Sequence, residues 1–254
     1  MLAWPHLFTI FQADRRLLRT ALRHAARYAA LLMAVLVSHS VLAADAAMAE
    51  RTQACTACHG PQGRAGPDGY YPRLAGKPAG YLYNQLRNFK EGRRHYALME
   101  SLLAPLSDDY LREIAAYFSN LTPPYARPLP SAASPAALVR GRTLAMNGDA
   151  ALNLPACIQC HGQALTGVMP ATPGLLGLPR DYLNAQLGGW QTGQRHAYAP
   201  DCMADIARKL SPQDVNAVAL WLAAQPLPDP AHAAAIRPAR TPGQLPLPLC
   251  GNAP

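Results

Sequence analysis

The sequence predicts an all-α protein built from two tandem copies of one small helical module. The main observation is an internal repeat, because shifting the chain by about a hundred residues aligns many of its features. Apolar residues recur at helical spacing in both copies, and no convincing pair of strands appears. The aligned pairs include Tyr81 with Tyr182, Gln85 with Gln186, Gly92 with Gly193, Arg94 with Arg195, and His95 with His196.

Each copy is expected to place its helices at equivalent positions. Ser107 and Ser211 are N-cap candidates, since a serine oxygen can accept a hydrogen bond from the free backbone amides at the start of a helix. Gly92 and Gly193 are suited to end the preceding helices. The predicted helices span residues 79–92 and 180–192 in one pair, and residues 110–121 and 214–224 in the other.

Proline-rich stretches and an apolar leader divide the chain into segments. The 25 prolines are numerous for 254 residues and indicate long irregular connections. A stiff, extended linker is expected between the two copies. The predicted segments are a signal peptide at 1–43, an N-terminal domain at 44–122, the proline-rich linker at 123–135, a C-terminal domain at 136–225, and a proline-rich tail at 226–254 packed on the second domain.

The N-terminal leader accounts for half of the formal net charge of +8. Beyond residue 43 the chain holds 18 basic and 14 acidic residues, and this mild excess gives no reason to expect nucleic-acid binding. A basic stretch followed by the apolar run 28–37 and by small residues predicts a secretory signal peptide cleaved near Ala43. The alternative is an uncleaved membrane anchor. We therefore expect a periplasmic protein that is peripheral to the membrane at most.

The segment Cys55–His59, with the sequence CTACH, is the strongest chemical signal, and it returns as CIQCH at Cys157–His161. Two cysteines separated by two residues and followed at once by histidine form the attachment signature of c-type haem. A zinc site would need a second ligand pair at short range in each copy, and the sequence offers none. Two covalently bound haem c groups, each with its iron, are therefore expected. The predicted attachment residues are Cys55, Cys58, Cys157 and Cys160, and the predicted proximal iron ligands are His59 and His161.

The ligand on the far side of each iron decides the function. Met99 lies 40 residues after the first motif histidine, and Met203 lies 42 residues after the second. Methionine ligation closes the iron and raises its potential, which suits electron transfer. The alternatives are a packing role for both methionines, or ligation by the duplicated His95 and His196. Met169 follows its motif too closely to reach the iron easily, and we expect it to serve packing.

A backbone carbonyl should hold the other ring nitrogen of each proximal histidine, since such a contact fixes the orientation and basicity of the ring. Pro72 and Pro173 open two equivalent Pro-x-Leu-x-Gly stretches and are the candidates for this support. The alternative is that they are two ordinary turn prolines.

These residues together resemble the di-haem class I cytochromes c of the cytochrome c4 family. The resemblance covers most of residues 45–225 and includes the Tyr-Leu…Gln-Leu…Gly helix of each copy. It implies that the matching methionines are axial ligands and that the matching prolines support the histidines. It also implies two tandem class I cytochrome c domains that face each other across a pseudo-twofold axis. An insertion that includes Pro200, Asp201 and Cys202 departs from the family pattern in the loop just before Met203.

Two cysteines, Cys202 and Cys250, remain after haem attachment uses the other four. In an oxidising compartment such a pair is expected to form a disulfide. Closing this 48-residue loop would contribute at most about 4 kcal/mol of stability in the chain-entropy model. The alternative is that Cys202 ligates iron, as cysteine does in some thiosulfate-oxidising di-haem cytochromes.

Four cations, at Arg87, Lys90, Arg93 and Arg94, crowd the end of one predicted helix. They could dock an acidic redox partner and steer its approach. Equally, they could complement the negative end of the helix dipole.

The predicted function is that of a periplasmic di-haem electron carrier rather than an enzyme. The resemblance implies a shuttle that feeds a terminal oxidase, so the expected partners are redox proteins, including a membrane oxidase or a dehydrogenase. One alternative is a di-haem enzyme, such as a thiosulfate dehydrogenase or a peroxidase, with a cysteine-ligated or open haem. Another is a haem subunit bound tightly to a dehydrogenase.

Overall fold

The computed structural model describes residues 22–24, 26–31, 33, 46–66, 69–126, 133–237, 239 and 242–252. They fall in two units, Met1–Arg51 and Thr52–Pro254. The described residues of the first unit are helical and nearly all exposed. Most of the predicted signal peptide, including its cleavage region, lies outside the described residues. Within the part of the chain that is described, no helix combines the length and the apolar character needed to cross a membrane.

The second unit begins with the first module, which comprises residues 52–126. A short 3-10 helix at Pro61–Gly63 follows the first helix, and a long loop leads from it to the second helix. The helices are α1 at Gln53–His59, α2 at Ala79–Lys90, α3 at Ala97–Leu103 and α4 at Asp108–Asn120.

The second module comprises residues 133–225 and repeats this order, with one helix added at its start. The all-α prediction is confirmed, since the only strands among the described residues are two antiparallel pieces of two residues each. Its elements are α5 at Pro135–Asn147, α6 at Cys157–His161, β1 at Gly167–Val168, β2 at Thr172–Pro173, α7 at Arg180–Thr192, α8 at Cys202–Lys209 and α9 at Pro212–Ala224.

The small hairpin is the one feature of the fold that contradicts the expectation of no strand pairs. Gly167 lies opposite Pro173 in its register. A side chain at Gly167 would collide with the backbone of the facing strand, and its φ of 100° also favours glycine. The hairpin therefore depends on one close backbone approach, which alternation of apolar residues does not reveal.

The predicted N-caps are confirmed. Ser107 accepts a hydrogen bond from the backbone amide of Tyr110, and Ser211 accepts one from Asp214. Helix α7 ends before Gly193, whose backbone is left-handed, as predicted. Helix α2 ends two residues earlier than predicted, at Lys90.

Helix α5 was not predicted from the sequence, although Ser134 and Pro135 repeat the cap-and-proline start seen at Ser211. Ser134 accepts a hydrogen bond from the amide of Ala137. The helix crosses α9 so closely that a Cβ at Gly141 would overlap the carbonyl of Ala217. Its burial therefore depends on a glycine, a residue that disfavours helices when read from sequence alone.

The core of the first module lies where α2 meets α4. The core of the second module lies where α7 meets α9. In the first module, Phe118 and Leu111 of α4 are almost fully buried. In the second, α5, α7 and α9 share one apolar cluster, with Leu144, Val218 and Leu222 at its centre. These cores fix the segments that carry the haem motifs.

Candidate functional site

The two CxxCH motifs form short helices, α1 and α6. Because each cysteine pair is spaced i, i+3, both thiols project from one face of their helix. All four motif cysteines have free, partly buried thiols. Burial raises the pKa of the Cys157 thiol to about 12 and raises the pKa of Cys55 as well. The Cys55 and Cys157 thiols are therefore protonated at neutral pH in the folded chain.

The motif histidines are buried and hydrogen-bonded through one nitrogen. His59 Nδ1 donates to the carbonyl oxygen of Pro72 at 2.8 Å, and His161 Nδ1 donates to Pro173 at 2.7 Å. Burial lowers the pKa of both rings, so both are neutral at neutral pH. With the proton on Nδ1, the Nε2 lone pair of each ring is available to a metal.

The two duplicated methionines lie on equivalent helices, Met99 on α3 and Met203 on α8, and both are partly buried. Met203 packs against a small cluster formed by Trp190 of α7 with Ala204 and Ala207 of α8. Of the histidines considered as alternative ligands, His95 is half-exposed, and its Nδ1 lies 3.3 Å from a carboxylate oxygen of Glu100. Met169, which we expect to serve packing, is 45% exposed.

Cys202 and Cys250 form a disulfide bond. The bond joins the first residue of α8 to the proline-rich tail, so Cys202 has no free thiol to offer a metal. Asp201 caps the same helix by accepting a hydrogen bond from the amide of Ala204 at 3.1 Å. The insertion that departs from the family pattern is therefore an ordered loop.

The modules meet through equivalent residues. Arg94 and Arg195 pair with each other as an antiparallel backbone bridge. The side-chain oxygen of Gln85 accepts hydrogen bonds from both arginines at 3.0 Å, and that of Gln186 accepts from both at 2.5 Å. Arg94 also stacks on Phe89, and Arg195 stacks on Trp190. The duplicated residues thus form a symmetric interface.

The cations at the end of α2 form ion pairs and hydrogen bonds within the protein. Arg87 and Arg93 both pair with Glu91, and Arg87 also reaches Asp108. Lys90 donates to the carbonyl of Leu106. These contacts favour the intramolecular role of the cluster over the docking hypothesis.

Comparison with known proteins identifies the family. The cytochrome c family matches residues 45–122. The thiosulfate dehydrogenase electron acceptor of Thiomonas intermedia (strain K12) is 40% identical over 72% of this chain and 83% of its own length. Cytochrome c4 of Pseudomonas aeruginosa is 34% identical over 71% of this chain and 88% of its own length.

A solved structure gives the same result. The crystal structure of reduced recombinant cytochrome c4 from Pseudomonas stutzeri matches with a TM-score of 0.61 at 32% identity, covering 70% of this chain and 96% of the other. The chain belongs to the cytochrome c4 family. It is a di-haem class I cytochrome c with two covalently bound haem c groups, and it carries electrons between redox partners.

The buried cations at the interface of this cytochrome fit the carboxylate groups of haem. Arg195 is 5% exposed and Lys77 is 9% exposed. Among the described residues, no carboxylate lies within ion-pair distance of either cation or of Arg94. Burial lowers the pKa of Lys77, which shows how poorly the protein alone compensates the charge. A buried anion supplied from outside the chain would balance these charges.

Trp190 gives a second indication of fit at the second haem of the cytochrome. Its side chain is 8% exposed, and the indole Nε1 has no hydrogen-bond partner among the described residues. The ring packs beside Met203 and under Arg195. Buried donors of this kind are normally paired, so the contact is suited to an acceptor on the haem.

The sequence did not predict which residues form the interface between the modules, although most of these residues align in the internal repeat. Tyr81, Gln85 and Arg94 are duplicated in the sequence, yet spacing alone does not show that the two copies meet through them. Lys77 and Trp190 carry no duplicated signal, because the aligned positions in the other copy hold Leu178 and Phe89.

Proposed function

We propose that this chain is an exported one-electron carrier that accepts electrons from a thiosulfate dehydrogenase and passes them toward a respiratory acceptor such as a terminal oxidase. The observation that supports the proposal is that each module holds a buried motif histidine and a partly buried methionine on an equivalent helix. The donor is suggested by the relative named as a thiosulfate dehydrogenase electron acceptor.

In this proposal each residue set has one role. The four motif cysteines hold the haems by thioether bonds, and Pro72 and Pro173 orient the proximal histidines. Haem supplies an iron that cycles between Fe(III) and Fe(II). Methionine ligation keeps that iron closed to substrates in both states. The proposed iron ligands are His59 with Met99, and His161 with Met203.

The interface residues would hold the haem carboxylates. Arg94, Arg195 and Lys77 supply positive charge that no described carboxylate of the protein neutralises, and Trp190 supplies a buried N–H donor. Such charge-assisted contacts are stronger than neutral hydrogen bonds. They also bias the potential, because a donor that offsets the carboxylate charge favours the reduced iron.

Export is the remaining part of the proposal. The basic leader, the apolar run 28–37 and the disulfide between Cys202 and Cys250 all suit an oxidising compartment outside the cytoplasm. Sequencing the N-terminus of the mature protein tests this. A start near residue 44 supports export with cleavage, whereas an intact leader on a membrane-bound protein supports the anchor.

The test of the donor is a direct reduction experiment. The oxidised protein is mixed with a purified thiosulfate dehydrogenase and thiosulfate, and haem reduction is followed in the α-band. Both haems should become reduced, with no reduction when either the dehydrogenase or thiosulfate is left out. Failure of reduction by the complete mixture, in a protein that chemical reductants reduce normally, would reject this donor.

The second candidate is an enzyme that oxidises thiosulfate itself. The name of the relative at 40% identity associates the family with this chemistry. A cysteine ligand would be expected in such a site, but the disulfide occupies Cys202. Thiosulfate added to the oxidised protein alone distinguishes the candidates, because an enzyme would reduce its own haems without a separate dehydrogenase.

A further inference from the structure

The proline-rich tail contacts both sides of the second haem site. We define the C-terminal strap as the described residues of 226–252. Beside the CIQCH motif, the Gln159 side chain donates to the carbonyl of Leu245 at 3.3 Å, and its own oxygen accepts from the amide of Ala156. Ala234 exchanges backbone hydrogen bonds with Gly167 and Met169 in the following hairpin.

At its far end the strap reaches the distal methionine segment. Cys250 is bonded to Cys202, which begins α8 and immediately precedes Met203. The amide of Gly251 donates to the carbonyl of Pro200 at 2.9 Å. A side chain on Gly251 would overlap the carbonyls of residues 198 and 199, so the strap lies directly against this loop. It thus spans from the proximal motif to the distal helix.

The first module has neither attachment point. Ala57 stands where Gln159 stands in the second motif, and it is exposed. Leu98 precedes Met99 as Cys202 precedes Met203, and it is 54% exposed. The asymmetry between the haem sites is therefore built into the side chains at these two positions.

We propose that the C-terminal strap is a clamp that holds α8 against the second haem, so that Met203 stays on its iron only while the disulfide is closed. Met99 has no such requirement. The proposal rests on the proposed function, in which Met203 is the axial ligand. The disulfide also makes the site sensitive to external dithiols. A dithiol that transfers two electrons and two protons to the Cys202–Cys250 bond becomes a disulfide itself, leaves two free thiols, and so frees the strap and α8.

The experiment uses the full-length holoprotein with both Cys202 and Cys250 changed to serine. Imidazole is titrated into the oxidised protein while the far-red methionine–iron absorption band is followed. In the wild type, we expect both haems to resist imidazole. In the variant, one haem should bind imidazole at least about tenfold more tightly, the change that corresponds to about 1.4 kcal/mol. The band should then disappear in two separate phases of similar size.

Leu98→Ser is the matched control, because it changes the equivalent position beside Met99 without touching the strap. Its titration should match that of the wild type. If the double variant fails to fold, the folded wild type is treated with a thiol reductant, alkylated and reoxidised with ferricyanide, and then titrated in the same way.

Two outcomes would overturn the clamp. The band of the variant could titrate as in the wild type, or both haems could weaken equally, which would indicate general destabilisation. The variant Met203→Ala separates this failure from that of the proposed function. If this variant keeps the full band, Met203 is not the ligand and the ligand assignment fails, whatever the disulfide does.

Discussion

In the first module, Ala57 within the haem motif and Leu98 next to Met99 are exposed. In the second, their counterparts Gln159 and Cys202 are buried and tied to the C-terminal strap. Each histidine–proline contact is the same in both modules. The two modules therefore share the contact that orients the motif histidine and differ in the side chains at the motif and at the helix that carries the methionine.

The largest expected effect compares the two distal methionines. Met99→Ala and Met203→Ala should each abolish about half of the far-red band, because in the proposed ligand set each removes the thioether from one iron. Potentiometric titration should show one haem at a much lower potential and the other unchanged. Loss of the whole band in a single variant, with haem content intact, would mean that the two sites are not independent.

A smaller effect is expected from the charges that the modules share. Arg195→Leu should destabilise the holoprotein by about 3–5 kcal/mol, since it leaves two glutamine oxygens and the proposed haem carboxylate with fewer partners. Chemical denaturation followed by haem absorbance measures it. Arg208→Leu, at an exposed pair with Asp205, is the control and should change stability by about 0.5 kcal/mol or less. Equal losses in both variants would argue against buried haem carboxylates beside Arg195.

The difference between Trp190 and its first-module counterpart Phe89 gives a finer comparison. Trp190→Phe should lower the potential of the second haem, because it removes a donor that offsets carboxylate charge. Phe89→Trp should leave the second haem unchanged. A rise in potential, or no change at all, would show that the indole N–H does not face an acceptor on the haem.

The smallest effect concerns acid stability of the second module alone. The Arg140 guanidinium holds the pKa of Asp214 and of Asp149 below the usual value, chiefly through hydrogen bonds. A carboxyl group whose pKa is lower in the folded state stabilises the fold at pH values above its unfolded pKa of about 3.9. This stabilisation is lost as the pH falls through the folded pKa.

Arg140→Met should therefore lower the thermal midpoint at neutral pH, and the difference from the wild type should shrink below about pH 4. Thermal unfolding followed by circular dichroism across pH checks the trend. A difference that stays constant down to the lowest pH would assign the loss to packing of the arginine stem instead.

Much of the fold was predictable because its signals are local. The caps at Ser107 and Ser211 and the glycine at Gly193 act within a single turn of chain, so the sequence around them is sufficient. The haem motifs are equally local. Helix α5 was not predicted, because its burial depends on the contact of Gly141 with α9, which lies more than 70 residues away in the sequence.

The surroundings of the haems were less predictable. Arg94 and Arg195 could be aligned as a pair, but alignment does not show that two like charges meet each other. The disulfide partner of Cys202 was expected from the cysteine count and compartment. The contact of the tail with the segment around Met203 also followed from the position of Cys202. The second attachment point of the strap, at Gln159, could not be predicted, because a glutamine inside CxxCH has no characteristic signal.

The bridge between Arg94 and Arg195 has an evolutionary consequence. When a residue pairs with its own duplicate, the contact has the isologous form of a symmetric homodimer, in which any substitution is made on both sides at once. In a chain that carries both copies, each half can change independently. One half can therefore hold a cysteine, a glutamine and a tethering tail that the other half lacks.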